Sequence, residues 1–207
     1  MNPHLPLFPL NLVAFPDEEV NLHIFEKRYI QLIDDCLNTR TNFGIPAYIS
    51  NKVEFGTEVE ILEITKRYQN GRMDIRTKGK SIFKVLEFFN PWKDKLYSGG
   101  EIKYLSNNFE EDESLKNEIT KLYKKLFSWL QLNEDIDYSI KPYKIAHKIG
   151  LNKEEEYKLL LIQSEKERQE FILNHLRKII PALERAEKAR QKIQMNGHFK
   201  HLDPLHF

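Results

Sequence analysis

With one cysteine in 207 residues, the chain can form no internal disulfide, and a lone thiol at Cys36 suits a reducing compartment, so a cytoplasmic protein is expected. No run approaches the ~20 apolar residues that a membrane-spanning helix requires. The N-terminus has no basic stretch leading into an apolar one, so no secretory signal is expected. Neither sign of charge is in surplus: 32 Lys/Arg stand against 31 Asp/Glu, which removes any global electrostatic argument for nucleic acid or an anionic membrane.

Catalytic patterns are also missing. Gly79-Lys80-Ser81 ends like a phosphate-binding loop, but the glycine required five residues before the Gly-Lys pair is Asp74. These three residues join two predicted strands and read as a hairpin turn. No serine sits in a G-x-S-x-G elbow. Cys36 lies on the apolar side of a predicted helix, where nothing lowers its pKa. His198, His201 and His206 lie on a short tail without the fixed ligands and orienting partners that metal sites recruit. A solvated tail is the simpler reading. His23 alternates with apolar residues and faces the polar side of its strand, while His147 and His175 have no nucleophile near them in sequence. Glu58, Glu60 and Glu63 alternate along strand faces, and nothing selects a catalytic pair among them. The chain reads as a non-enzyme that needs no cofactor or metal.

What is present is enough for a core. Hydrophobic residues make up 41% of the chain and charged ones 30%, sufficient for one large domain or two small ones with a soluble surface. Residues 1–140 carry 18 Lys/Arg against 22 Asp/Glu, and residues 141–207 carry 14 against 9. The shift in balance accompanies a change from strand-like to helical patterning. The expected division is a strand-rich part over 1–107, a helical bundle over 108–180, and an extending helix and tail over 181–207.

The first part begins with a proline-punctuated apolar segment. Pro6 and Pro9 bias Leu5 and Phe8 to extended geometry and place this strand at an edge or in irregular pairing. Val20, Leu22 and Ile24 alternate with Asn21 and His23, and apolar residues at 25, 29, 32, 33, 36 and 37 then take helical spacing. Phe43–Ile49, interrupted by Pro46, predicts a strand near an edge. Val59 and Ile61 alternate with Glu58 and Glu60, and the pattern slips at Leu62-Glu63 as a bulge would make it. Asn70-Gly71 marks a hairpin into Met73–Thr77, and Ile82–Phe89 and Glu101–Leu105 complete the set. Six or seven short strands with one early helix imply a small barrel-like sheet in an α+β protein.

Beyond 107 the periodicity is helical. Asn108 with Glu111 reads as a capping box, and Leu115, Ile119, Leu122, Leu126, Trp129 and Leu130 form a stripe. Pro142 opens a second helix that ends at Gly150. Asn152 with Glu155 and Ser164 with Glu167 start two more, and Pro181 should kink or restart the last. From there to Gly197 the apolar stripe thins to Leu183, Ala186, Ala189 and Ile193, so a solvated or partner-seeking helix is expected. Lys178, Arg185, Lys188, Arg190 and Lys192 are interleaved with Glu184 and Glu187. Pairs four residues apart account for them better than nucleic acid does.

PLFPLNLVAFP, NLHIFEKRYIQLIDDCL, FGIP and FGTEVEILEITKRYQNGRMDIRTKGKSIFKV, followed by AHKIGLNKEEEYKLLLIQSEKERQEFILNHL, resemble in order the N-terminal substrate-binding domain of Lon proteases. The Ile24–Tyr29 segment is most similar to stand-alone bacterial members that lack ATPase and peptidase domains. The resemblance spans roughly residues 5–180. It implies a PUA-like pseudo-barrel of about six strands followed by a helical bundle, and a role in recognising polypeptides. It does not bring ATP-dependent proteolysis with it, because no phosphate loop or serine–lysine peptidase segment is found. The expected function is a non-catalytic module binding unfolded or flexible segments, with a protease or chaperone as a further partner. Nucleic-acid binding by the PUA-like fold is the alternative. Leu7, Phe8, Leu12, Phe15 and Pro16 are the candidate peptide-binding residues, being more apolar than one buried strand face requires; the competing reading puts all five in the core.

Overall fold

The computed structural model describes residues 2–49, 51–129 and 140–198. Leu130 and the tail histidines His201 and His206 lie outside the described residues.

Six strands, β1 (His4–Leu7), β2 (Glu19–Ile24), β3 (Phe43–Ile49), β4 (Lys52–Arg67), β5 (Met73–Phe89) and β6 (Ser98–Tyr104), form one sheet in the order β2-β5-β4-β3-β1-β6. A further β5–β6 pairing closes five of them into a ring and leaves β2 hanging on its rim. Closure depends on the length of β5. Its first half pairs with β2 and β4, and Phe83–Phe89 pairs with β6. Inside the ring, Leu5, Leu7, Phe83, Val85 and Ile102 form a small apolar cluster. The taper is filled by pairing bulk with glycine: a Cβ on Gly44 would lie 2.6 Å from the Phe83 ring and 2.7 Å from Leu7.

Helix α1 (Lys27–Thr39) packs Tyr29, Leu32, Ile33 and Cys36 against Phe43, Ile45, Val59, Met73 and Ile75. Phe8 reaches under it to stack on Tyr29, with ring centres 3.7 Å apart. The helix ends where Arg40 takes a left-handed conformation. The expected bulge near Leu62 is present, since the β4–β5 register shifts between Ile61 and Glu63. The Asn70-Gly71 hairpin is present too, with Gly71 at φ +82°.

Several expectations are corrected. Gly79-Lys80-Ser81 is no hairpin turn but the middle of β5, so the two predicted strands are one. The reason is a crossing. The loop at Phe15–Glu18 passes over the strand at Gly79, exchanging Asp17 N–H to Gly79 O and Gly79 N–H to Glu18 O. A Cβ there would sit 2.0 Å from the Phe15 carbonyl, so only glycine fits. Of the two expectations for β1, irregular pairing holds and the edge does not: it lies between β6, antiparallel over four residues, and β3, parallel at Leu7↔Gly44 alone. Pro6 precedes the parallel pairing to β3, which starts at Leu7, and Pro9 follows the end of the pairing to β6. The N–H groups of Phe8 and Leu10 between and beyond them donate to Gly44 and Pro46. Strand β3 is likewise interior, with Pro46 taken up at a register shift.

The helical half contains α2 (Glu113–Trp129), α3 (Pro142–Ile145) continuing into a 3₁₀ turn at Ala146–Lys148, α4 (Lys153–Leu161) and α5 (Glu165–His198). The cap of α2 is Asp112, whose carboxylate accepts from Ser114 and Leu115; Asn108 instead turns the chain earlier by accepting from Glu110 N–H. Asn152 and Glu155 make the expected reciprocal box. Helix α5 runs through Pro181 and Gly197 to His198. Past Pro181 it is largely solvated, with Ile193 72% exposed, although Lys125 on α2 ion-pairs with Glu184 at 2.7 Å.

The two halves share a core. Val13, Phe15, Ala47 and Ile82 from the strand-rich half join Ile119, Tyr123, Leu126, Phe127, Ile172 and Leu176 in one cluster. Beside that core lies Arg168 of α5, a full guanidinium at 0% exposure. Its Nε donates to Glu165, Nη1 to the Ile162 carbonyl and the Tyr143 hydroxyl, and Nη2 to the Asn108 carbonyl. It lies 4.8 Å from the centre of the Tyr143 ring and 5.3 Å from that of Phe109. Breaking such a pair leaves a buried carboxylate uncompensated, at a cost of about 3–5 kcal/mol. Arg168→Met should therefore lower the unfolding free energy by about that amount in denaturant titration. A loss under about 1 kcal/mol would contradict the role given to Arg168.

Candidate functional site

Among the described residues, concavities flank the N-terminal segment on two sides. The larger, about 530 Å³, opens between β1, the last turn of α1 and the turn at residues 92–97. Leu5, Pro6 and Trp92 supply apolar wall, and Asp35, Glu58 and Lys95 supply charge. The turn is rigidly built. Trp92 N–H donates to the Tyr97 carbonyl, Lys95 N–H returns to Trp92, and the indole lies on Gly99, where a Cβ would come within 2.3 Å of it. Leu96 stands on the rim at 58% exposure, its N–H held by Gln31 of α1.

The charged groups of this groove are already engaged. Asp35 accepts from Lys95 Nζ at 2.8 Å and from the Tyr97 hydroxyl at 2.9 Å. The Lys95 hydrogen bond holds its carboxyl below the usual range, despite partial desolvation. The same carboxylate, with burial acting first, pushes the Tyr97 phenol well up. Glu58 accepts from the Asn42 amide at 2.9 Å. Burial pushes the Cys36 thiol to about 11, so it is protonated at neutral pH and a poor nucleophile. Among the described residues, no cluster of three or more His, Cys, Asp or Glu is placed to hold a metal. Such a groove can bind by shape and apolar contact, with fixed donors and acceptors at its ends.

The second concavity, about 340 Å³, follows the junction of the halves and is lined by Pro16, Glu18, Tyr143 and His147 among others. His147 joins the halves directly: Nε2 meets Glu18 at 3.1 Å and Nδ1 meets Glu156 at 2.6 Å. The hydrogen bond His147 donates to Glu18 leads in raising its pKa to about 9, against the opposing effect of burial. The imidazole is therefore a cation at neutral pH, fixed between two carboxylates.

The five residues proposed from sequence do not form an exposed surface. Leu7 lies inside the ring, Phe8 beneath α1, and Phe15 in the shared core against Tyr143, with ring centres 5.0 Å apart. Pro16 is buried and Leu12 half-buried, and of the five only Pro16 lines either concavity. The excess apolarity of this segment is used because it passes through three core clusters in succession. What sequence reasoning missed was the turn 92–97 and the exposure of Phe25. The second carried a signal: Ile24 and Phe25 are adjacent where a strand ends, and successive side chains there point to opposite faces. Ile24 is buried and Phe25 is 58% exposed.

The family model of the ATP-dependent protease La (LON) substrate-binding domain matches residues 4–178. The chain belongs to this family. Among solved structures it is similar to a Lon N-terminal domain protein from Xanthomonas campestris, at 24% identity and a TM-score of 0.66, covering 83% of this chain and 98% of that one. It is also similar to the N-terminal domain of a Mycobacterium avium complex Lon protease, at 16% identity and a TM-score of 0.68, covering 84% and 98%. At these identities the likeness establishes the fold, a mixed α+β domain with a PUA-like barrel and a helical bundle. No curated protein sequence matches the chain significantly. The Lon substrate-binding domain is a non-catalytic, substrate-recognising module. Among the described residues no helix is long and apolar enough to cross a membrane.

Two measurements check the electrostatics of this Lon-type domain. A thiol at about 11 that is also buried should react with a disulfide reagent at least tenfold more slowly in the native protein than in denaturant, and equal rates would contradict its placement. The His147 contribution has a definite sign. Its folded pKa lies above the ordinary 6.5, so the stabilisation is complete below pH 6.5 and is lost as pH rises through about 9. The wild type should lose midpoint denaturant concentration across that window, and His147→Gln should flatten that slope.

Proposed function

We propose that the protein is a non-catalytic polypeptide-binding module of the cytoplasm. It takes apolar side chains of unfolded or flexible segments into the groove between β1, α1 and the turn at residues 92–97, and presents them to a protease or chaperone partner. The observation that carries this is the groove itself. It is roomy enough for a large side chain and walled by Leu5, Pro6 and Trp92, and its carboxylate Asp35 and thiol Cys36 are held in unreactive states. Membership of a substrate-binding family supports the reading, as does the burial of Cys36, a thiol without a disulfide partner.

Trp92 offers a direct probe. In a Trp129→Phe background, adding a permanently unfolded, tryptophan-free protein such as reduced, carboxymethylated ribonuclease A should change the emission of the remaining indole. Trp92→Ala should weaken binding at least tenfold while far-UV circular dichroism stays the same. Undiminished binding by that variant would discard the groove. Retention on RNA with a steep salt dependence, in place of capture of the unfolded protein, would favour the nucleic-acid alternative.

A further inference from the structure

Closure of the ring leaves β2 as the terminal strand of the sheet. Among the described residues its only strand neighbour is β5, paired without a break from Glu19↔Lys78 to Ile24↔Met73. Its other edge presents unpaired backbone donors and acceptors. Natural proteins usually blunt such an edge with proline, an inward charge or a bulge. Strand β2 has none of these. Asn21 and His23 face outward, while Val20 and Leu22 are half-buried.

The strand ends in an aromatic corner. His23 stacks on Phe25 with ring centres 5.9 Å apart and meets Tyr68 edge-on at the same distance. Asp74 fixes this arrangement by bonding both the His23 ring at 2.5 Å and the Tyr68 hydroxyl at 2.8 Å. Phe25, 58% exposed, therefore lies on a preorganised support rather than on a floppy loop. The charge around it is unbalanced. Glu26 is engaged by Arg28 and Asp34 by Arg67. Asp74 adds a carboxylate to the corner, and Lys66, over the Tyr68 ring, is close enough to act on it, while among the described residues Lys27 and Arg72 have no carboxylate on them.

We propose that the free edge of β2 captures an extended polypeptide by strand addition, and that the Phe25 corner with Lys27 and Arg72 selects a segment carrying an aromatic residue among acidic ones. A row of backbone N–H and C=O groups is complemented by another peptide backbone. A nucleic acid would satisfy the cations and the ring but not the edge. The surface shares no residue with the groove at Trp92, so it stands or fails independently of that site.

The test uses the full chain and a twelve-residue peptide of alternating Thr and Asp around one Tyr, with two versions N-methylated on alternate residues in either register. The parent peptide should bind and slow amide hydrogen exchange within Glu19–Ile24. One of the two methylated versions should bind at least tenfold more weakly, because its hydrogen bonds to the edge are blocked. Phe25→Ala should weaken the parent peptide about tenfold, and Lys27→Glu with Arg72→Glu should weaken it further while favouring a Lys-substituted peptide. Equal affinity of all three versions would overturn strand addition. So would protection at residues 92–97 with none in β2, or protection of β2 by single-stranded oligouridylate and not by the peptide.

Discussion

A guanidinium held away from water must find a partner for each of its nitrogens, and that requirement organises the helical half. Arg168 binds the carbonyl that ends α4, the linker carbonyl at Asn108, the hydroxyl of α3's Tyr143, and the carboxylate of Glu165 one turn back in its own helix. Three separate pieces of chain are thereby set relative to α5. Asn108 and Ile162 lie outside the regular elements and α3 is a single turn, so backbone ladders alone would not fix their positions. Apolar packing of Ile172, Leu173 and Leu176 supplies the adhesion, while Arg168 supplies the geometry.

The strand-rich half is held to this frame by the segment between β1 and β2. Phe15 fills the shared core, its carbonyl lies over Gly79, and Glu18 reaches His147. The same short stretch therefore serves the ring, the crossing and the junction. That explains why it is so apolar and yet presents so little surface.

Much of the architecture was legible in the residues. Alternation around Val20–Ile24, the Asn70-Gly71 turn, the slip at Leu62 and the Asn152 box all appear where local chemistry put them. What stayed hidden was non-local. Gly79 looks like a turn glycine, because the loop that crosses it lies some sixty residues away and leaves no trace in the local pattern. Pro6 looks like an edge marker, because ring closure through β5 cannot be read from spacing. The groove was hidden for the same reason: its walls come from residues near 5, 36, 58 and 92, none of which is unusual alone. The recognised family supplied the kind of function, and the fold supplied the places where it can occur.

The pairing of β1 with β6 has a consequence for biosynthesis. Leu5 lies opposite Gly100, so the first strand can take its place only after about a hundred residues have been made. Until then a nascent chain carries its Leu-Pro-Leu-Phe-Pro-Leu opening without its final neighbours, and the ring stays unzipped on one side. While it is being translated, this member of a substrate-binding family passes through a stage in which it resembles an unfolded segment itself.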